Sequence, residues 1–205
     1  MNYFHHLLDR MIKRGSIPSG FIDVGAHFGE TNQIIKSMFS DKRIFSFEAN
    51  PNCEKILHDQ GIEYLICLLG NENKEGVKFY INPDDVTSTG SSIYKEKTKY
   101  FENAYTIDVP MYRLDEIVPI EANLNFLKMD VQGAELDVLS GATKLIPHIK
   151  WIYLEVSFVS LNVGAPLFDD VYMNLRNLGY RIVDECDSTY VDNKLVQNNY
   201  LFEKV

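Results

Sequence analysis

Cysteine is scarce and odd in number: Cys53, Cys67 and Cys186 are scattered through 205 residues. No spacing pairs them with one another or with histidines, so a disulfide framework and a zinc motif are not expected, and a reducing, cytoplasmic setting is. No run of 18 apolar residues is present, which excludes a transmembrane helix. The opening Met1-Asn-Tyr-Phe-His-His-Leu-Leu-Asp-Arg10 lacks the order of a signal peptide. Basic residues are outnumbered, 20 against 29 acidic, giving a net charge of −9 and a pI of about 5.0. That balance argues against a nucleic-acid partner, because backbone phosphates demand a basic surface. The Gly-x-Gly-x-x-Gly turn of dinucleotide enzymes is also missing.

What is present is ordinary globular composition, 45% hydrophobic and 24% charged, at a length suited to one domain spanning 1–205. Phe4, Leu7, Leu8, Met11 and Ile12 recur at helical spacing and predict an N-terminal helix within residues 1–20, ended by Gly15. Strands are then predicted at 21–24, 44–47, 62–69, 77–81, 107–112, 126–129, 151–156, 181–184 and 200–203. Helices are predicted at 31–39, after Asn50-Pro51, at 134–145 and from 166 to 178. Strand–helix alternation means a mostly parallel, doubly wound sheet, here closed by an antiparallel hairpin. Residues 83–105 are polar, with Thr87-Ser-Thr-Gly-Ser-Ser92 at the centre, and read as a loop with the length of a lid.

Five segments carry candidate chemistry. Asp23-Val-Gly25-Ala26-His27-Phe28-Gly29 ends the first strand, and its glycines let a ligand approach the backbone where strand becomes helix. Tight packing is the alternative role for Gly25 and Gly29; Asp23 either positions an ammonium group or orders the turn. His27 reads as a loop or helix-cap residue. Phe47-Glu48-Ala49-Asn50-Pro51 ends the second strand on a carboxylate able to bind both ribose hydroxyls. Leu69 and Gly70 close the third strand, at the edge that lies over an adenine ring in such folds. Lys128-Met-Asp130-Val-Gln-Gly-Ala-Glu135 places Lys128 and Asp130 on one face by the two-residue alternation, while Glu135 starts a helix. Glu155 ends the neighbouring strand. It either converges with Asp130 beside a ligand or pairs with a cation such as Lys128.

In chain order these segments, with Ser91-Ser92, Leu114-Asp115, Leu139-Ser-Gly-Ala142 and Leu154-Glu155, resemble the FkbM-type methyltransferase family over residues 21–158. Two positions depart from the family pattern: His27 stands where Asn is usual, and Gln132 where Glu is common. The resemblance implies a class I domain, a Rossmann-like seven-stranded sheet of order 3-2-1-4-5-7-6 with helices on both faces. It implies S-adenosylmethionine as cofactor and O-methylation of a sugar, glycan or related natural-product hydroxyl. Asp130 is then the first candidate base and Glu155 the second, with Lys128 and Glu135 organising the site. Asp23, Gly25–Gly29, Glu48, Ala49, Leu69, Gly70, Ser92 and Asp130 are the expected cofactor contacts. A divalent ion held by the carboxylates is the alternative to a metal-free base. A nicotinamide-dependent oxidoreductase and a non-catalytic nucleoside-binding domain remain the competing readings.

Overall fold

The computed structural model describes residues 3–205; residues 1 and 2 of the expected N-terminal helix lie outside the described residues. The helix α1 spans Tyr3–Lys13 and buries Phe4, Leu7, Leu8 and Met11, whereas Ile12 is 37% exposed, off the stripe. It stops well short of residue 20, because Gly15 takes a φ of +74° and the chain turns toward the first strand.

Seven strands form the main sheet: β1 (Phe21–Val24), β2 (Ile44–Glu48), β3 (Tyr64–Ile66), β7 (Phe126–Met129), β8 (Trp151–Ser157), β9 (Tyr180–Val191) and β10 (Lys194–Lys204). Three more, β4 (Leu68–Leu69), β5 (Lys74–Ile81) and β6 (Tyr105–Tyr112), form a separate sheet of order β4-β6-β5. The main sheet runs β3-β2-β1-β7-β8-β10-β9. In chain numbering this differs from the expected 3-2-1-4-5-7-6, because the second sheet is inserted between β3 and β7; numbering the seven strands alone converts one into the other. β3, β2, β1, β7 and β8 are parallel, and β10 is antiparallel to both β8 and β9.

The single strand expected over 62–69 is two. Cys67 still donates its N–H to the Glu48 carbonyl at 2.9 Å, beside β2. Leu68 and Leu69 then pair with Met111 and Tyr112 in the other sheet. The helix expected over 134–145 is only α5, Glu135–Ser140. It ends at Gly141, whose missing Cβ would lie 1.9 Å from the Gly70 carbonyl oxygen, so the chain there must be bare. The closing hairpin is longer than 181–184 and 200–203, with β9 and β10 joined through Asp192 and Asn193, both at positive φ.

Alternation along the strands separates two apolar faces. Ile22, Val24, Leu127, Met129, Ile152 and Leu154 pack with Val138 and Leu139 of α5 and with Val171 and Leu175 of α6 (Phe168–Asn177). Phe21, Phe126, Trp151 and Tyr153 pack under α1 and under Ile35 of α2 (Glu30–Met38). The second face is interrupted by a polar row. The register aligns Ser46 with Asp23, Asp23 with Lys128, and Lys128 with Tyr153, across four adjacent strands. Asp23 Oδ1 meets Lys128 Nζ at 3.1 Å, and Asp23 Oδ2 accepts from Asn32 Nδ2 at 2.9 Å.

That ion pair is buried on both sides, so removing one partner strands the other charge. Asp23→Ala should lose about 3–5 kcal/mol of unfolding free energy in urea titration. A loss under about 1 kcal/mol would show that the pair does not hold β1 against β7.

Candidate active site

The turn after β1 is built around Lys128. Its ammonium donates to the Gly25 carbonyl at 2.7 Å as well as pairing with Asp23. Burial favours loss of its proton, but Asp23 and then Asp130 outweigh this and hold it above the usual lysine range. Lys128 therefore meets Asp23, not Glu155. Gly25 has a φ of +77°, and a Cβ there would lie 1.9 Å from the Asp130 carbonyl oxygen. Gly29, at φ +83°, would meet Ile62 Cδ1 at 2.2 Å. Positive φ favours glycine at both positions, and at Gly25 the Asp130 carbonyl leaves no room for a Cβ, while Gly25 also lines the cleft in front of the turn. Ala26 and Phe28 join Cys53 and Leu57 in a small apolar cluster behind the turn. Asp23, at 0% exposure, orders the turn through Lys128 and Asn32 and does not line a cleft.

In front of the turn lies a cleft whose empty space, open mouth included, is about 660 Å³. Gly25, His27, Glu48, Ala49, Leu69, Ser92 and Asp130 of the expected set line it, while Asp23, Ala26, Phe28, Gly29 and Gly70 do not. Gly70 instead lies against Met111. Phe47, Cys67, Leu68, Phe79 and Ile93 add an apolar part to the lining. Glu48 ends β2 at 8% exposure. Its two oxygens accept the N–H groups of His27 and Asn50, each at 2.7 Å. Burial raises its carboxyl above the usual range, and these two donors oppose the rise. A carboxylate accepts about four hydrogen bonds, so capacity remains for a ligand.

The segment 83–105 covers this cleft and is fastened from three elements. His27 Nε2 stands 2.8 Å from the Thr87 carbonyl, and Asn50 Nδ2 donates to the Val86 carbonyl at 2.7 Å. Ser92 Oγ donates to the Gln132 carbonyl at 3.0 Å, so this hydroxyl serves the fold as well as lining the cleft. The neighbouring Ser91 Oγ is buried in the lining with no partner among the described residues. His27 and Gln132, at φ +50° and +52°, occupy the left-handed region on either side of the cleft. Side chains pay conformational energy there, a pattern concentrated at binding sites.

A second cleft opens on the α1 face, and Asp130 lines both. Its walls carry Glu30, Glu155, Asp187 and Asn199, and its floor Tyr153 and Lys128, with Tyr3 and Phe4 of α1 above. Gln132 Nε2 donates to Asp130 Oδ1 at 2.9 Å and to Glu155 Oε2 at 3.1 Å. Gln197 Nε2 donates to the same Glu155 oxygen at 2.7 Å. Burial, then the charge of Asp130, pushes the Glu155 carboxyl well above the usual carboxylate range. Glu135 lines neither cleft. Burial pushes its carboxyl up to about 7, and it accepts the Gly133 N–H at 3.2 Å, shaping the turn that carries Gln132. Among the described residues no group of three or more His, Cys, Asp or Glu side chains is set to hold a metal ion.

Sequence reasoning missed the part played by Gln197, Asp187 and Asn199. The available signal was the antiparallel closing hairpin: β10 pairs with β8 and sets Asn199 opposite Glu155. Tyr3 and Phe4 had only the signature of a packing helix, and Phe79 and Ile93 that of ordinary strand and loop residues.

With the geometry in place, known proteins supply the comparison. The methyltransferase FkbM domain family matches residues 23–182. "Methyltransferase 1" of Beauveria bassiana (strain ARSEF 2860) is 28% identical over 146 residues, 60% of this chain and 58% of that protein. The chain thus spans little more than half the length of that relative. Crystal structures of methyltransferase FkbM from Methylobacillus flagellatus KT and of an S-adenosylmethionine-dependent methyltransferase from Clostridium acetobutylicum ATCC 824 share the fold. The first has a TM-score of 0.58 at 16% identity, covering 89% of this chain and 43% of that one. The second has a TM-score of 0.53 at 8% identity, covering 100% and 92%. The family match, over most of the length and all five motif segments, places this chain in the FkbM methyltransferase family rather than among nicotinamide oxidoreductases.

Proposed function

We propose that the chain is an S-adenosylmethionine-dependent O-methyltransferase acting on a hydroxyl of a sugar, glycan or related natural product. The observation that carries this reading is Asp130, a shared wall between the covered cleft and the open one. The covered cleft suits the cofactor. Glu48 has acceptor capacity for ribose hydroxyls, the apolar lining of Cys67, Leu68, Leu69, Phe79 and Ile93 suits a flat ring, and Ser91 Oγ awaits a polar partner. The open cleft suits the acceptor. Its carboxylates accept hydrogen bonds from hydroxyls, its aromatic side chains offer apolar faces, and its acidic walls disfavour anions.

Bound S-adenosylmethionine supplies an electrophilic methyl group, and transfer to an alcohol oxygen releases one proton. Asp130 stands where that proton can be taken, as general base. The tightly braced turns on either side make the encounter effectively unimolecular. Segment 83–105 keeps water from the covered side. Two amide donors leave Glu155 a fixed neighbour of the base rather than a mobile competitor. The direct test is transfer of a labelled methyl group to a panel of free sugars, glycans and macrolides, read by mass spectrometry. Labelled product in no sugar or other hydroxyl acceptor, with label appearing instead on nitrogen or carbon acceptors, would reject the reading.

Four outcomes follow for this site. Glu48→Ala should weaken S-adenosylhomocysteine binding by about 1–3 kcal/mol in calorimetry, the scale of a lost charge-assisted hydrogen bond, with the fold retained. Unchanged affinity would assign Glu48 to the backbone N–H groups alone. Asp130→Asn should lower turnover about 10²–10⁴-fold with little change in cofactor affinity. Wild-type turnover should withstand exhaustive chelation; activity lost to chelator and restored by magnesium or manganese would recast Asp130 and Glu155 as ligands. Amide exchange over 83–105 should slow when cofactor binds, and equal protection with and without it would reject a cover that responds to ligand.

A further inference from the structure

Gln132 is the residue the reaction leaves unexplained. It sits in a turn of unfavourable backbone geometry, φ +52° followed by Gly133 at +102°, and reaches back over the ends of β7 and β8. One amide nitrogen there faces two carboxylates, Asp130 Oδ1 at 2.9 Å and Glu155 Oε2 at 3.1 Å. An amide nitrogen carries two hydrogens, enough for one to each. Gln197 brings a second amide to Glu155 Oε2 at 2.7 Å. The turn itself is secured elsewhere: Glu135 accepts the Gly133 N–H, and Ser92 Oγ donates to the Gln132 carbonyl. The side chain is therefore free of any duty to hold the backbone.

The surroundings of the two carboxylates are acidic. From β1 comes Asp23, from β7 Lys128, from α5 Glu135, from β9 Asp187 and from α2 Glu30, with the Tyr153 hydroxyl on β8. Lys128, the one cation in that group, is committed to Asp23 and the Gly25 carbonyl. Two adjacent carboxylates in such a setting take up a first proton at raised pH and resist a second, and donors to the charged forms lower the pH of that first uptake.

We propose that Gln132 is a positioning residue which, by donating to Asp130 and Glu155 together, lowers the pH at which the pair takes up its first proton and so keeps Asp130 charged to act as base. Oε2 of Glu155 receives both amides, and among the described residues no donor reaches Oε1, which is where a proton can reside. The inference rests on the O-methyl-transfer reading for its purpose, but its charge claim does not need an acceptor to be tested.

The test is a titration of side-chain carboxyl carbons by NMR, on the full chain labelled at Asp and Glu, in the wild type and in two variants. Gln132→Met keeps the length and removes the donors. Gln132→Glu keeps the shape and adds a third carboxylate. The first proton-uptake midpoint of the Asp130–Glu155 pair should move to higher pH by about one to two pH units in Gln132→Met, and at least as far in Gln132→Glu. S-Adenosylhomocysteine affinity should change less than about threefold in both, showing an intact covered cleft. Midpoints that coincide with wild type in both variants would overturn the proposal. If Asp130→Asn retained full turnover while the midpoints moved, the base assignment would fall and the electrostatic role of Gln132 would stand.

Discussion

The buried pairing of Lys128 with Asp23 sets the distance between the two turns from which the site is made. Both charges lie on one face of adjacent parallel strands, and the ammonium reaches on to grip the Gly25 carbonyl. This draws the turn after β1 against the end of β7 until no Cβ fits between Gly25 and the Asp130 carbonyl. Asp130 Nα completes the contact by donating to the Val24 carbonyl at 3.0 Å. A buried ion pair is a costly way to gain stability, since desolvation of the charges offsets much of their attraction. Its value here is geometric: it fixes two loops that must present a carboxylate and a ligand-facing backbone to the same point.

From that fixed point the molecule spreads into two environments. On one side, His27, Asn50 and Ser92 fasten a polar strap over a cleft with a partly apolar lining and a ribose-ready carboxylate. On the other, carboxylates from three strands and a helix converge beneath α1. Asp130 is common to both, and the amides of Gln132 and Gln197 restrain the repulsion that its meeting with Glu155 creates. Positive φ at His27 and Gln132 marks the two places where the chain bends unfavourably to make these contacts.

The sheet, its helices and the motif-bearing strand ends could be read from periodicity, because β1, β2 and β7 are short apolar runs that end on or are followed by Asp, Glu or glycine, and β8 is an apolar run carrying Glu155 near its end. Glu48 and Asp130 were legible for the same reason: in open α/β sheets a polar group at a strand's carboxyl end faces the crevice. The split at Cys67 was not, since the two halves are one apolar run and only pairing with Met111 and Tyr112 separates them. A glycine that admits a ligand and one that admits a neighbouring carbonyl look alike in sequence, and Gly25 both meets the Asp130 carbonyl and lines the cleft. Gln197 and Asp187 were invisible because their significance arises from strand pairing across the hairpin. Ser92 was found by resemblance, yet its hydroxyl bonds the protein's own Gln132 carbonyl.

The account stands on the covered cleft being a site for S-adenosylmethionine and its product. The most direct measurement is calorimetric titration of the protein with S-adenosylhomocysteine and, separately, with nicotinamide dinucleotides. Saturable one-to-one binding of S-adenosylhomocysteine with no heat from the dinucleotides is the predicted result. Saturable binding of a nicotinamide dinucleotide, with none of S-adenosylhomocysteine, would contradict it.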